Sequence, residues 1–416
     1  MVLKMKEPKI NYVDKSTDFV GICLNEGNVE ISVPQVFRKE ENYKKDLLLF
    51  LNSISLAKTV DKEKINSGNK DNDIWPFESY LWIIKDYLDN GFYYNREKTY
   101  SNSYNGKIEW KKTLRNLPIY SSGNIIYDKL VTSKMSASND MIAQIYKLCL
   151  KQSINRIGWL YNYNLFVEAQ QLVSVTEMIS IVRKELLNTF DDIKRIRFNH
   201  MLKILKNVDG DNVISNSSTY GIKNYYYVFE TMVDMLFDGV KDDKQKYNPN
   251  GYWKLNNQEE QIASSLRPDT ILEKEKAIYI LDAKMYQFGA THNIKDLPET
   301  QSIQKQITYG DYVSNTLGVE NVRNAFILPY DKELDSFKND NSIDKFNDGN
   351  LAYFGYARAD WRTDSDNKDY DHVYTYGIDF NYLLKNYKVA DTNMINELCK
   401  SIEGVLKASK KQLAWI

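Results

Sequence analysis

Arg267-Pro268-Asp269-Thr270-Ile271-Leu272-Glu273-Lys274-Glu275-Lys276-Ala277-Ile278-Tyr279-Ile280-Leu281-Asp282-Ala283-Lys284-Met285-Tyr286 decides how the C-terminal half of the chain folds. Two apolar runs flank the four charged residues Glu273 to Lys276, so the stretch reads as a β-hairpin. A turn centred on Lys274-Glu275 sets residue 269 opposite residue 280, and the pleat puts 280, 282 and 284 on the face that 269 shares. Two carboxylates, Asp269 and Asp282, and the ammonium of Lys284 are therefore expected together at the rim of an apolar ribbon.

Carboxylates brought that close repel, and a cation between them removes the penalty. Hard oxygen donors suit Mg²⁺, which takes one or two carboxylates from a protein and keeps waters for its substrate. Mn²⁺ accepts the same donor types and is the natural substitute. The carbonyl of Ala283 adds a further oxygen, and Lys284 stands ready to orient an attacking water and offset charge on a pentacovalent phosphate. A third acid comes from the helix expected over 224–238. Val228, Phe229, Met232, Val233, Leu236 and Phe237 fill one arc of its wheel, and Glu230 falls at the arc's edge. Asp-x-Lys alone is a weak signal, because Asp192/Lys194, Asp242/Lys244 and Asp366/Lys368 repeat it. None of those follows an apolar strand whose partner carries a Pro-Asp.

Outward from the hairpin, the pattern predicts a helix at about 300–316, strands at 322–329, 351–358 and 372–379, and a helix at 391–411. That order describes an α/β core, a mixed β-sheet flanked by helices. Towards the amino terminus, Phe19–Leu24 and Val29–Val33 read as a hairpin about Asn25-Glu26-Gly27-Asn28, followed by a helix at 41–57 and a polar linker at Lys62–Asp73. Helices are expected at Trp75–Leu88, Met141–Leu150 and Leu165–Leu187, with short β-like pieces in 92–125, an α+β texture. From Asp191 an amphipathic helix becomes rich in Lys and Arg and runs into the loop Asp209-Gly210-Asp211-Asn212. The expected division is therefore 1–190, for recognition or partner docking, and 191–416, for chemistry.

Composition limits the function classes. The 416 residues suffice for two to four domains at roughly 100–200 residues each. Fifty-five Lys and Arg against 56 Asp and Glu exclude a wholesale polybasic binder, so nucleic-acid contact has to come from local patches. One such patch is Lys107, Lys111, Lys112 and Arg115 interleaved with Trp110, a contact for DNA or a partner. A second cluster, Lys194, Arg195, Arg197, Lys203 and Lys206, reads more simply as a charged helix face. Cys23, Cys149 and Cys399 are far apart and suit a reducing cytoplasm. No apolar run is long enough to span a membrane. His200, His292 and His372 are isolated, and of these only His292 lies in the loop after the acidic strand.

Pro268-Asp269 with Asp282-Ala283-Lys284 resembles the PD-(D/E)xK nuclease superfamily. More narrowly, the chain resembles the LlaJI restriction endonuclease family and McrC-type nuclease subunits. Asp282-Ala283-Lys284-Met285-Tyr286, Lys305-Gln306-Ile307-Thr308-Tyr309, Gly106-Lys107-Ile108-Glu109-Trp110-Lys111-Lys112-Thr113-Leu114 and Phe19-Val20-Gly21-Ile22 carry that resemblance. It implies a C-terminal restriction-endonuclease-like core that hydrolyses double-stranded DNA. Asp269, Asp282 and Glu230 would hold Mg²⁺ and Lys284 would assist hydrolysis, with Gln306 on the flanking helix contacting the DNA backbone or bracing the site. It also implies separately encoded partners, a McrB-like AAA+ GTPase and a cognate methyltransferase, and the chain has no GxxxxGK[ST] loop of its own. The alternatives are a self-sufficient Type II restriction endonuclease and a non-catalytic DNA-binding or assembly protein on a nuclease fold.

Overall fold

A computed structural model describes residues 8–14, 17–25, 28–40, 43–58, 76–103, 105–127, 129–138, 141–161, 166–209, 217–362 and 368–413. The chain divides into two compact units. One joins residues 1–72 to 217–416, and the other is 73–216. This differs from the single cut expected near residue 190. The linker expected at Lys62–Asp73 and most of the loop at 209–212 lie outside the described residues.

The first unit opens with a four-stranded sheet. Strands β1 (Lys9–Val13), β2 (Val20–Asn25) and β3 (Asn28–Pro34) contain the expected hairpin, with β2 and β3 antiparallel and β1 parallel to β3. After them comes helix α1 (Tyr43–Ser53), which buries Leu47, Phe50 and Leu51. Strand β4 (Ser217–Ile222) then pairs antiparallel with β2. This returning strand explains the division. Six residues from far along the chain complete the amino-terminal sheet, so the first segment belongs with the C-terminal half and 73–216 is an insertion. Gly21 and Gly221 face each other in that pairing. Gly21 has φ of 150°, and a Cβ on it would fall 2.3 Å from the Tyr220 carbonyl oxygen. Only glycine permits so close an approach.

The same unit continues with helix α2 (Tyr226–Leu236), strands β5 (Thr270–Lys274) and β6 (Ala277–Ala283), helix α3 (Thr300–Leu317), and strands β7 (Asn321–Tyr330), β8 (Asp344–Phe346), β9 (Leu351–Ala357) and β10 (Val373–Asp379). Helices α4 (Phe380–Asn386) and α5 (Thr392–Leu413) close the chain. The six strands form one sheet in the order β5-β6-β7-β10-β9-β8. Its centre, β6, β7 and β10, is parallel, and its two margins are antiparallel. This is the mixed sheet flanked by helices that the sequence predicts. Parallel neighbours need a crossover, which α3 supplies between β6 and β7. All seven residues of β6 and all of β10 are buried, as strands covered on both faces must be.

Alternation along β6 assigns the faces. Ile278 and Ile280 pack with Ile271, Tyr309 and Val313, so even positions meet α3. Tyr279 reaches Glu403 of α5 on the opposite face. At Gly310 of α3 a Cβ would fall 2.7 Å from the ring of Tyr370, so glycine is what seats the helix there. Arg38, after β3, ties the amino-terminal segment to the ends of β7 and β10 through Asp331 and, at 3.0 Å, Asp379.

The second unit contains a three-stranded sheet of Asn95–Asn102, Val131–Ser138 and Lys107–Ile108, with helices Phe77–Asn90, Met141–Ile157, Val175–Asn188 and Asp192–Asp209. The helix expected from Leu165 starts only at Val175. Ser174 caps it, its hydroxyl accepting from the Glu177 amide at 3.2 Å. The basic helix from 192 belongs to this unit, because Arg197 is not on a solvated face: its guanidinium is buried against Asp86 at 2.7 Å. Among the described residues, no helix is long and apolar enough to cross a membrane.

Candidate active site

The hairpin of β5 and β6 pairs Thr270 with Leu281 and Lys274 with Ala277, leaving Glu275-Lys276 as a two-residue turn. Both turn residues are left-handed, with φ of 49° and 68°, a combination that follows the twist of the strands. The turn thus lies one residue beyond the expected centre and shifts every partner by two. Residue 269 falls opposite 282 rather than 280. Since the pleat repeats every two residues, Asp269 and Asp282 keep the shared face, and the two carboxylates come directly across from each other.

Asp282 is 0% exposed, on the α3 side of the sheet. Lys284, past the strand end, places its ammonium 2.6 Å from Asp282 Oδ2 and 3.9 Å from Asp269 Oδ2. Asp269 Oδ2 also accepts the Ala283 amide at 3.0 Å. The main chain at Asp269 is held from outside the hairpin by Lys244, which donates to the Asp269 carbonyl and pairs with Asp234 at 3.5 Å. These contacts bring Asp269, Asp282, Ala283 and Lys284 into one cluster.

Burying charge costs several kcal/mol per ion unless partners compensate. Here compensation is incomplete. Neither Asp282 oxygen receives an aligned hydrogen bond among the described residues, despite the nearby ammonium. Burial, then Asp282, then Glu230 hold the Asp269 carboxyl well above the usual carboxylate range, against the opposing pull of Lys284 and Lys305. For Lys284, burial favours the neutral amine, but the carboxylates of Asp282 and Asp269 outweigh it and raise the pKa. The neighbouring carboxylates thus favour the ammonium form of Lys284.

Glu230, on α2, acts electrostatically on Asp269, Lys284 and Tyr309, which places it beside the cluster. Among the described residues, no three His, Cys, Asp or Glu side chains are close enough to hold a metal ion. Two facing carboxylates, one with neither oxygen in an aligned hydrogen bond, still match the short list of protein donors that Mg²⁺ takes. In this structure Lys284 supplies the positive charge between them.

Gln306 is fully buried. Its amide nitrogen donates to the Ile280 carbonyl at 2.7 Å, bracing β6 from α3. Of the two roles expected for it, the geometry favours bracing over DNA contact. Lys305, on the same helix, was not among the expected site residues, yet its ammonium is 4.0 Å from Asp282 Oδ1. Its position next to Gln306 on the flanking helix was the available signal. His292 turns away from the cluster, towards Asp340 at 3.8 Å and the Phe337 ring. In the second unit, Lys107, Trp110, Lys111, Lys112 and Arg115 are all exposed, and none of the four cations pairs with a carboxylate among the described residues. Lys112 lies over the Tyr100 ring, 3.0 Å from its centroid.

The chain as a whole is similar to several known proteins. The family described as LlaJI restriction endonuclease matches residues 19–351. The Type II restriction enzyme BsuMI component YdjA of Bacillus subtilis (strain 168) is 23% identical over 370 residues, covering 82% of this chain and 79% of that one. Two solved assemblies from Thermococcus gammatolerans also align. A half-complex of McrB AAA+ hexamers with bound McrC gives a TM-score of 0.35 at 13% identity, over 89% of this chain and 81% of that one. The McrBC complex gives 0.21 at 14%, over 51% and 63%.

Proposed function

Because the chain belongs to the LlaJI restriction endonuclease family, we propose that it is the Mg²⁺-dependent nuclease subunit of a restriction system, cutting double-stranded DNA at a PD-(D/E)xK site. The observation that carries this reading is the strand-end cluster, in which the buried Asp282 and the partly buried Asp269 face each other across a hairpin and share one lysine ammonium. Asp269, Asp282 and the Ala283 carbonyl would hold the metal, with Glu230 as the third acid. When bound, Mg²⁺ (or Mn²⁺) would supply Lewis-acid polarisation of the phosphodiester.

The chain's own residues do the rest. The water oxygen forms a bond to phosphorus in line with the P–O bond that breaks and releases a proton to bulk solvent, and the leaving oxygen departs with its electron pair and takes up a proton from solvent. Lys284 orients the water and offsets negative charge as it builds on the phosphate. Gln306 holds β6 so that Asp282 keeps its place. The exposed face of Lys107, Trp110, Lys111, Lys112 and Arg115 is the proposed DNA track. Its cations are free to replace counterions on the backbone, and the indole offers an apolar surface to it.

The resemblance extends the reading to partners. The Bacillus subtilis relative is called a component of a restriction enzyme, and this chain is likewise read as one subunit, acting with an AAA+ GTPase and a methyltransferase made separately. The test is plasmid cleavage in Mg²⁺, with and without a separately encoded McrB-like GTPase and GTP. The parent is expected to cut, and Asp282→Ala and Lys284→Ala are expected to bind DNA without cutting it. Undiminished cleavage by either variant refutes the site. Efficient cutting without nucleotide by the isolated chain would establish the self-sufficient Type II reading instead.

A further inference from the structure

The two lysines at the cluster are placed differently. The Lys284 side chain is 17% exposed and lies between the carboxylates, 2.6 Å from one and 3.9 Å from the other. The Lys305 side chain is 36% exposed and stands 4.0 Å from the other oxygen of Asp282. At that distance it feels the carboxylate's charge without donating a hydrogen bond to it. Among the described residues Lys305 Nζ makes no hydrogen bond; it lies 5.5 Å from the centroid of the Tyr309 ring and also pulls electrostatically on Asp269. Its three N–H donors are thus held at the solvent side of a buried anionic cluster and are unused.

An ammonium needed only to neutralise Asp282 would settle into contact, as Lys284 does. Lys305 instead rises from α3, whose Gln306 and Tyr309 are buried against the sheet, so the backbone at its root is fixed. From these placements we infer that Lys305 is a substrate-binding residue: its ammonium takes a non-bridging oxygen of a DNA phosphate at the mouth of the site. Lys284 serves the reacting atoms from the inner position. The inference rests on the nuclease reading and deepens it, separating the lysine that holds the substrate from the one that assists the reaction. A phosphodiester arriving from solvent meets Lys305 first, and the charge it brings fills the donors that Asp282 leaves open.

The roles separate by measurement. Binding of a labelled duplex is followed in EDTA across a potassium chloride series, and cleavage kinetics are followed in Mg²⁺, for the parent, Lys305→Gln and Lys305→Arg. Loss of one phosphate contact lowers the slope of log K against log salt by about 0.9. Lys305→Gln is expected to show that decrease and to raise KM about tenfold with little change in kcat, and Lys305→Arg is expected to restore both. A parental slope and KM in Lys305→Gln overturn the inference, as does a loss confined to kcat, which would mean that the residue acts through Asp282. If the parent binds DNA without cutting it, the nuclease reading falls while the salt slopes still decide the role of Lys305.

Discussion

Two buried aspartates, one in each unit, each face a basic side chain and meet opposite fates. Asp86 is saturated. Arg197 donates to both of its oxygens, at 2.7 and 2.8 Å, the Tyr146 hydroxyl donates at 3.0 Å, and the Asn90 amide donates at 3.0 Å. The guanidinium in turn lies 4.7 Å from the Tyr93 ring centroid. Asp282, just as buried, has an ammonium beside it, a second carboxylate across from it and no aligned hydrogen bond. The first arrangement is what a fold builds when charge is part of its framework. The second leaves capacity unfilled, and unfilled capacity in a buried carboxylate is where a cation and a substrate find their purchase.

The sharpest way to break this contrast is to neutralise each aspartate. Asp282→Asn is expected to reduce cleavage by at least about 10²–10³-fold, the scale for losing a charge-stabilising group, with thermal stability within about 1 kcal/mol of the parent. Asp269 stands 3.9 Å from Lys284 to keep the ammonium paired. Asp86→Ala leaves Arg197 buried and alone, and should cost about 3–5 kcal/mol of stability by calorimetry or denaturant titration. Equal effects of the two substitutions on stability would dissolve the distinction.

A gentler probe sharpens it. Asp269 is held above the usual carboxylate range by burial and by Asp282 and Glu230, so the folded state binds its proton more tightly than the unfolded chain does. The parent should gain stability as pH falls through the folded-state value, and lose it as pH rises. Asp269→Asn removes this dependence. In EDTA it should be the more stable protein at alkaline pH, with the gap closing on acidification, in thermal melts at matched ionic strength. A variant less stable at every pH would place Asp269 with Asp86 as a structural group. The smallest expected effect belongs to the basic face of the second unit. Lys111→Gln with Arg115→Gln should lower the salt slope of DNA binding by about 1.8, two phosphate contacts' worth, and leave folding unchanged. An unaltered slope would assign that face to a protein partner.

Much of the first unit was legible because its pattern is strong. The continuous apolar run of β6 and the wheel of α2 predict elements that are found at Ala277–Ala283 and Tyr226–Leu236. The site was legible as a set of residues sharing a face, but not in its register. The choice between turns centred one residue apart depends on whether Glu275 and Lys276 accept left-handed backbone, which neither residue type advertises. The division into units was hidden for a different reason. Ser217–Ile222 is short and polar, and only its pairing with β2 reveals that it completes a sheet begun 200 residues earlier. The Lys and Arg content after Asp191 suggested a boundary, whereas Arg197 reaches back to Asp86 and keeps that helix inside the second unit. Lys305 was overlooked because helix surfaces are commonly dotted with lysine, and only its distance from Asp282 sets it apart.

The most direct test of the strand-end cluster is Mn²⁺ uptake by the isolated protein, measured by electron paramagnetic resonance or titration calorimetry on the parent, Asp269→Asn and Asp282→Asn. The parent should bind the ion, and each variant should lose most of that affinity. Equal uptake by all three proteins, or none by the parent in the presence of DNA, would contradict the assignment of these two carboxylates as the seat of the chemistry.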